Sequence, residues 1–85
     1  MTEKLQLLTS LRPGETAMVQ GFSPAMPADC RRLLQHLGIT RNTEITLIRC
    51  APLGDPLQLK VLGSQISLRK SEARYIHIKL CLEKA

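Results

Sequence analysis

The side chains best equipped for chemistry in this 85-residue chain are its three cysteines and two histidines, and their spacing limits what they can do. Cys30, Cys50 and Cys81 are far apart, odd in number and form no CxxC pair, which argues against both a disulfide framework and a zinc ribbon. Reduced thiols are expected. A thiol nucleophile needs a base beside it, yet Cys30 and His36 are six positions apart and so about 240° apart around a helix. His77 and Cys81 share a strand face but lie about 13 Å apart along it, too far to ligate one metal. Paired carboxylates at useful spacing, a phosphate-binding P-loop and a dinucleotide fingerprint are all missing, and Gly54-Asp55-Pro56 reads as turn chemistry. The chain is therefore read as non-enzymatic, with no cofactor required and no intramolecular metal site. His36, His77 and Cys81 retain one metal role, trapping an adventitious divalent transition metal between two protomers.

Charge is the next resource. Twelve Lys and Arg against seven Asp and Glu give +5, which favours an acidic partner surface, nucleic acid or anionic headgroups. The basic residues are scattered from Lys4 to Lys84, and the longest runs are the pairs Arg31-Arg32 and Arg69-Lys70. That pattern fits a solvated face better than a nucleic-acid track. Single-strand binders need aromatic stacking platforms, but Phe22 and Tyr75 are the only aromatics besides the histidines, which counts against RNA or DNA. The same shortage counts against an aromatic groove for proline-rich peptides. No apolar run approaches the roughly 20 residues that span a bilayer, so direct membrane insertion is not expected. The N-terminus has no secretory pattern, and the cytoplasm is the expected location.

These residues must be positioned by a single domain over 1–85, in which residues 1–12 form a leader whose Leu5, Leu7, Leu8 and Leu11 pack on a barrel. The same leucines, with an outward Cys81, leave homodimerisation open. Pro13-Gly14 suits a type II turn, and Glu15 to Phe22 then alternates as a half-buried strand. A helix starts between residues 24 and 28, with Ser23 as a cap and either Pro24 or Pro27 as the first-turn proline, and carries Met26, Cys30, Leu33, Leu34 and Leu37 on its apolar face. Gly38 ends it in the left-handed C′ position, and Ile39 folds back on Leu34. Glu44 to Cys50 reads as a central strand. Residues 57–62 and 65–69 pair as a hairpin around a Gly63-Ser64 type II′ loop. Ser71 caps one 3-10 turn, and Tyr75 to Leu82 returns as the last strand, with Ile76, Ile78, Leu80 and Leu82 inward. The sum is a mainly β fold with one α-helix. It is a small five-stranded SH3-like barrel with the helix inserted after strand 1 and a 3-10 turn before the last strand.

The residues Ala51, Pro52, Leu53, Gly54, Asp55 and Pro56, followed by Leu68, Arg69, Lys70, Ser71, Glu72 and Ala73, resemble the signature of the FeoA family. Leu11 to Phe22 and Arg32 to Gly38 also fit, so the resemblance covers nearly the whole chain. It implies the same SH3-like fold and a cytoplasmic accessory role in bacterial ferrous-iron uptake. The implied partner is the FeoB-type permease, through its GTP-binding domain or a membrane-proximal region that recruits the protein to the inner membrane. Regulation of that GTPase, including activation of hydrolysis, is the implied role. On this chain the basic, leucine-rich helix points to a docking groove rimmed by Arg31, Arg32 and Arg69, while Arg12 and Arg69 are candidates for an arginine supplied to a GTPase. A metal-sensing module similar to the C-terminal domain of DtxR-type repressors is an alternative, although the chain has no room for a helix-turn-helix. A weak nucleic-acid barrel is the other.

Overall fold

Alternation writes the sheet. Ala17 and Val19, Ile45 and Leu47, Leu57, Leu59 and Val61, and Ile76 and Ile78 are all buried, while the residues between them are half-buried or exposed. The computed structural model describes residues 6–81. The strands are β1 (Gln6–Leu7), β2 (Thr16–Phe22), β3 (Glu44–Cys50), β4 (Leu57–Val61), β5 (Ser64–Leu68) and β6 (Ile76–Leu80). They form one antiparallel sheet in the order β1-β6-β2-β3-β4-β5, so β3 is central as its two apolar faces require. The fold is mainly β, but the described sheet has six strands where the sequence predicts five. The extra one comes from the leader, whose Gln6 and Leu7 pair with Ile78 and His77 before a 3-10 turn at Leu8–Ser10. Leu8 and Leu11 are buried as expected, Leu7 is exposed, and Leu5 lies outside the described residues. Leu80 is only half-buried, and the expectation for Leu82 also falls outside them.

The helix α1 (Ala28–His36) crosses the sheet's apolar face through Leu34, with Met26 and Ile39 buried at its two ends and Cys30 and Leu37 partly buried. Leu33, expected on that face, sits at its exposed margin, because successive helical residues turn by about 100° and Cys30, Leu34 and Leu37 define the centre. Ser23 does not cap α1. Its hydroxyl accepts from the Ala25 amide and its carbonyl from the Met26 amide, forming a separate turn, and Pro27 occupies the helix N-cap. The C-terminal end follows the predicted pattern. Gly38 has φ +84°, its amide donates to the Gln35 carbonyl at 3.1 Å, and the Ile39 amide donates to the Leu34 carbonyl at 2.9 Å.

The Pro13-Gly14 turn is closed by the Glu15 amide on the Arg12 carbonyl at 3.0 Å, with Gly14 at φ +90°. The β4–β5 hairpin is present, but its loop is Leu62-Gly63 rather than Gly63-Ser64. Val61 pairs with Ser64, and φ values of 52° and 83° at the two loop residues make it a type I′ turn. Burial of Val61 and Leu68 fixes this register, since a one-residue slip would send both to the wrong face. Between β5 and β6 the chain forms a four-residue α-helix, α2 (Lys70–Ala73), not a 3-10 turn. Its N-cap is Arg69, whose amide donates to Glu72 Oε1 at 3.1 Å, so Ser71 is not the cap.

Candidate functional site

The two halves of the 51–73 motif meet in space. The loop between β3 and β4 is closed by the Gly54 amide on the Ala51 carbonyl and the Ala51 amide on the Pro56 carbonyl, and the Asp55–Pro56 peptide bond is cis. This places the Asp55 carboxylate 2.9 Å from the Lys70 amide, the first N–H of α2. Asp55 therefore caps a helix fifteen positions away, a role that Arg69 cannot fill because a guanidinium has no acceptor. Helix α2 then supports α1, since Cys30 Sγ lies 4.0 Å from the Glu72 carbonyl oxygen. Desolvation, helped by the Glu72 carboxylate, pushes the Cys30 thiol above its ordinary pKa, which suits an inert packing cysteine and not a nucleophile. The motif is a scaffold for the basic surface that it presents.

On that surface Arg31 and Arg32 are exposed on α1, and Arg69 is exposed at the start of α2. Arg32 forms an ion pair with Asp29 at 3.5 Å, one turn away and open to solvent, where such pairs contribute little. Arg31 projects from the flank of α1, about 100° around the axis from Arg32, so the two arginines serve different directions. The guanidinium of Arg31 has no partner among the described residues. Helices α1 and α2 meet at Cys30 and Glu72, which brings the Arg31 and Arg69 elements to one side of the sheet.

Arg12 belongs elsewhere. It lines an open cleft of about 540 Å³ with Gln6, Leu7, Thr9, Ser10, Glu15 and Leu80. The Arg12 amide donates to Glu15 Oε1 at 2.8 Å, and Ser10 Oγ donates to the Leu7 carbonyl at 2.7 Å, so the rim is ordered by local bonds. Sequence reasoning singles out Arg12 but not this cleft, because its walls come from segments far apart in the chain that meet through the pairing of β6 with β1 and β2.

The remaining candidates stay apart. His36 is exposed at the end of α1, His77 is half-buried on β6 opposite Leu7 and Gly21, and Cys81 follows β6. Among the described residues no group of three or more His, Cys, Asp or Glu side chains converges as a metal site. Arg74 covers the Tyr75 ring, with its guanidinium carbon 5.2 Å from the centroid, which occupies one of the few surfaces that a nucleobase could stack on. No described helix is long and apolar enough to cross a membrane.

A model of the FeoA domain matches residues 6–80. The solution structure of a FeoA-like protein from Clostridium acetobutylicum is 36% identical, covers 100% of this chain and 95% of that one, and superposes with a TM-score of 0.84. The zinc complex of FeoA from Stenotrophomonas maltophilia, described as a procaryotic SH3 domain protein, is 27% identical over 86% of this chain and 88% of that one, with a TM-score of 0.73. A fusion of Fe(2+) transport protein A with the transporter FeoB, from Porphyromonas gingivalis, is 32% identical over 50 residues. That match spans 59% of this chain and only 6% of the fusion protein.

Proposed function

Because the chain belongs to the FeoA family, a non-catalytic accessory domain of SH3-like fold, we propose that it docks on the cytoplasmic side of a FeoB-type ferrous-iron permease and regulates its GTP-binding domain. The observation that carries this reading is the Porphyromonas gingivalis protein, in which an FeoA-like segment and the transporter share one chain. Covalent fusion holds two domains at high effective concentration, which is useful only where their surfaces work together. A net charge of +5, with Arg31, Arg32 and Arg69 exposed around α1 and α2, supplies the electrostatic steering toward an acidic partner surface. The partly exposed Leu33 beside them provides apolar area that slows release. Regulation in this reading includes stimulation of GTP hydrolysis, with Arg12 or Arg69 supplying positive charge to the transferring phosphoryl group. This reading requires no metal ion and assigns no part to His36, His77 and Cys81 beyond an adventitious ion between protomers.

The test is calorimetric titration of the protein into the isolated cytoplasmic domain of its own organism's permease, with GDP or a GTP analogue present. Saturable binding that depends on nucleotide is expected. Charge reversal in an Arg31→Glu, Arg32→Glu variant is expected to weaken that binding at physiological salt. Unchanged binding by the variant removes the basic face from the interface, and no binding by calorimetry or by an orthogonal method overturns the docking itself.

A further inference from the structure

The two walls of the Arg12 cleft are held by the core and by the sheet. On one side Leu8 and Leu11 are buried around Thr9 and Ser10, and the Leu11 amide closes that 3-10 turn on the Leu8 carbonyl at 3.1 Å. On the other side the Gly14 amide donates to the Leu47 carbonyl at 2.7 Å, and the Leu47 amide donates to the Glu15 carbonyl at 3.0 Å. The turn that carries Arg12 is thereby stitched to β3. Walls fixed in this way lose little freedom when a ligand enters between them.

Bonds within the rim consume acceptors and leave donors. Glu15 Oε1 takes the Arg12 amide at 2.8 Å, and the Leu7 carbonyl takes the Ser10 hydroxyl at 2.7 Å. Gln6 Oε1 lies 3.4 Å from that same hydroxyl, which leaves the Gln6 amide nitrogen as a donor. The Arg12 guanidinium and the Thr9 hydroxyl, both lining the cleft, have no partner among the described residues. A guanidinium presents its N–H groups as a planar fork that matches the two oxygens of a carboxylate. Glu15 then sets the charge of the ligand. A dianion such as phosphate would meet one positive and one negative side chain, whereas a carboxylate brings a single charge and places it on the fork.

The rest of the lining is apolar. Leu7 is 42% exposed and Leu80 is half-buried, so both have hydrocarbon surface that a ligand can cover. A volume of about 540 Å³ falls within the range of small-molecule sites, which pair apolar walls with a few polar groups that fix orientation. We propose that this cleft binds a small organic acid, its carboxylate on Arg12 and Thr9 and a short alkyl chain against Leu7 and Leu80. This inference does not rest on permease docking.

Titration of the isotope-labelled protein with acetate, hexanoate and inorganic phosphate, followed by amide chemical shifts at constant ionic strength and neutral pH, tests it. Hexanoate is expected to shift the Thr9, Ser10 and Arg12 amides saturably. It should bind more tightly than acetate, by up to about fourfold for each methylene that leaves water, and phosphate should bind more weakly than hexanoate. Arg12→Gln is expected to reduce hexanoate affinity about tenfold or more, and Arg12→Lys, which keeps the charge without the fork, to fall between that variant and the wild type. Leu7→Ser, at an exposed position outside the core, should weaken hexanoate and leave acetate unchanged. All three variants are expected to keep the wild-type amide spectrum away from the cleft. No saturable shift with any of the three anions overturns the proposal. Phosphate that binds as tightly as hexanoate also overturns it, because the cleft is then an unselective cation, and so does an Arg12→Gln protein that binds hexanoate like the wild type. Equal affinity for acetate and hexanoate overturns the part given to Leu7 and Leu80.

Discussion

Removing the Asp55 carboxylate tests the claim that the 51–73 motif is a scaffold. Asp55 Oδ1 accepts the Lys70 amide at 2.9 Å, and that amide is one of those that a helix start leaves without an intrahelical acceptor. Asp55→Ala is therefore a cap deletion carried out across space. Such deletions cost about 0.5–2 kcal/mol, and the exposure of Asp55 points to the middle of that range, about 1 kcal/mol. For a domain of this size, 1 kcal/mol lowers the melting temperature by roughly 4–8 °C. Asp55→Asn keeps an acceptor oxygen and loses the charge, so its shift is expected to be smaller than that of Asp55→Ala. Thermal unfolding followed by circular dichroism gives the shifts, and hydrogen exchange at the Lys70 amide gives the location, with protection lost selectively in Asp55→Ala. An Asp55→Ala protein that melts with the wild type, or melts lower while the Lys70 amide stays protected, refutes the capping role.

Three further outcomes follow from the same geometry. Gly38→Ala forces a side chain into φ +84° and places its Cβ 2.9 Å from Leu62 Cδ1; the left-handed conformation alone costs about 1–2 kcal/mol. Urea titration should show that loss, and Leu62→Ala in the same chain should relieve only the contact part; a Gly38→Ala protein as stable as the wild type contradicts the cap. Burial and Glu72 hold the Cys30 thiol above its ordinary value of 9.0, so its contribution is fully present below the unfolded pKa and disappears as pH rises through the folded one. Stability should fall more steeply above about pH 9 than in a Cys30→Ala variant, and iodoacetamide should label Cys30 more slowly in the folded protein than in urea. Equal labelling rates in both states count against the partial burial of the thiol. Finally, if the proposed stimulation of a partner GTPase uses an arginine of this chain, either Arg12→Ala or Arg69→Ala is expected to lower stimulated GTP hydrolysis about 10³-fold or more with binding intact. Unchanged stimulation in both Arg12→Ala and Arg69→Ala eliminates an arginine supplied in trans.

Local physics made much of this chain legible in its residues. The Leu34, Gly38 and Ile39 cap spans six positions and depends on one residue that tolerates positive φ, so its hydrogen bonds are written in the sequence. The Pro13-Gly14 turn, the central strand at Glu44–Cys50 and the existence of a hairpin at residue 63 follow from equally short-range rules. The hairpin's turn type did not, because Gly63-Ser64 and Leu62-Gly63 are both sound loops and only burial of Val61 and Leu68 on one face chooses between them. Leu33 has the right helical period for the core, and only the direction from which the sheet approaches α1 leaves it at the margin.

Tertiary structure alone decided the contacts between distant segments. The sixth strand exists because Gln6 and Leu7 find Ile78 and His77, a pairing that spans two of the described residues and carries no alternation signal there. The Arg12 cleft, the Asp55 cap on Lys70 and the Cys30 contact with Glu72 likewise join residues whose separation along the chain says nothing about their separation in space. The sequence by itself determined the family, the mainly β fold and its local caps and turns, because these depend on residue type and on neighbours within a few positions. Which surfaces those elements present was decided by packing, because burial and strand pairing are properties of the whole chain.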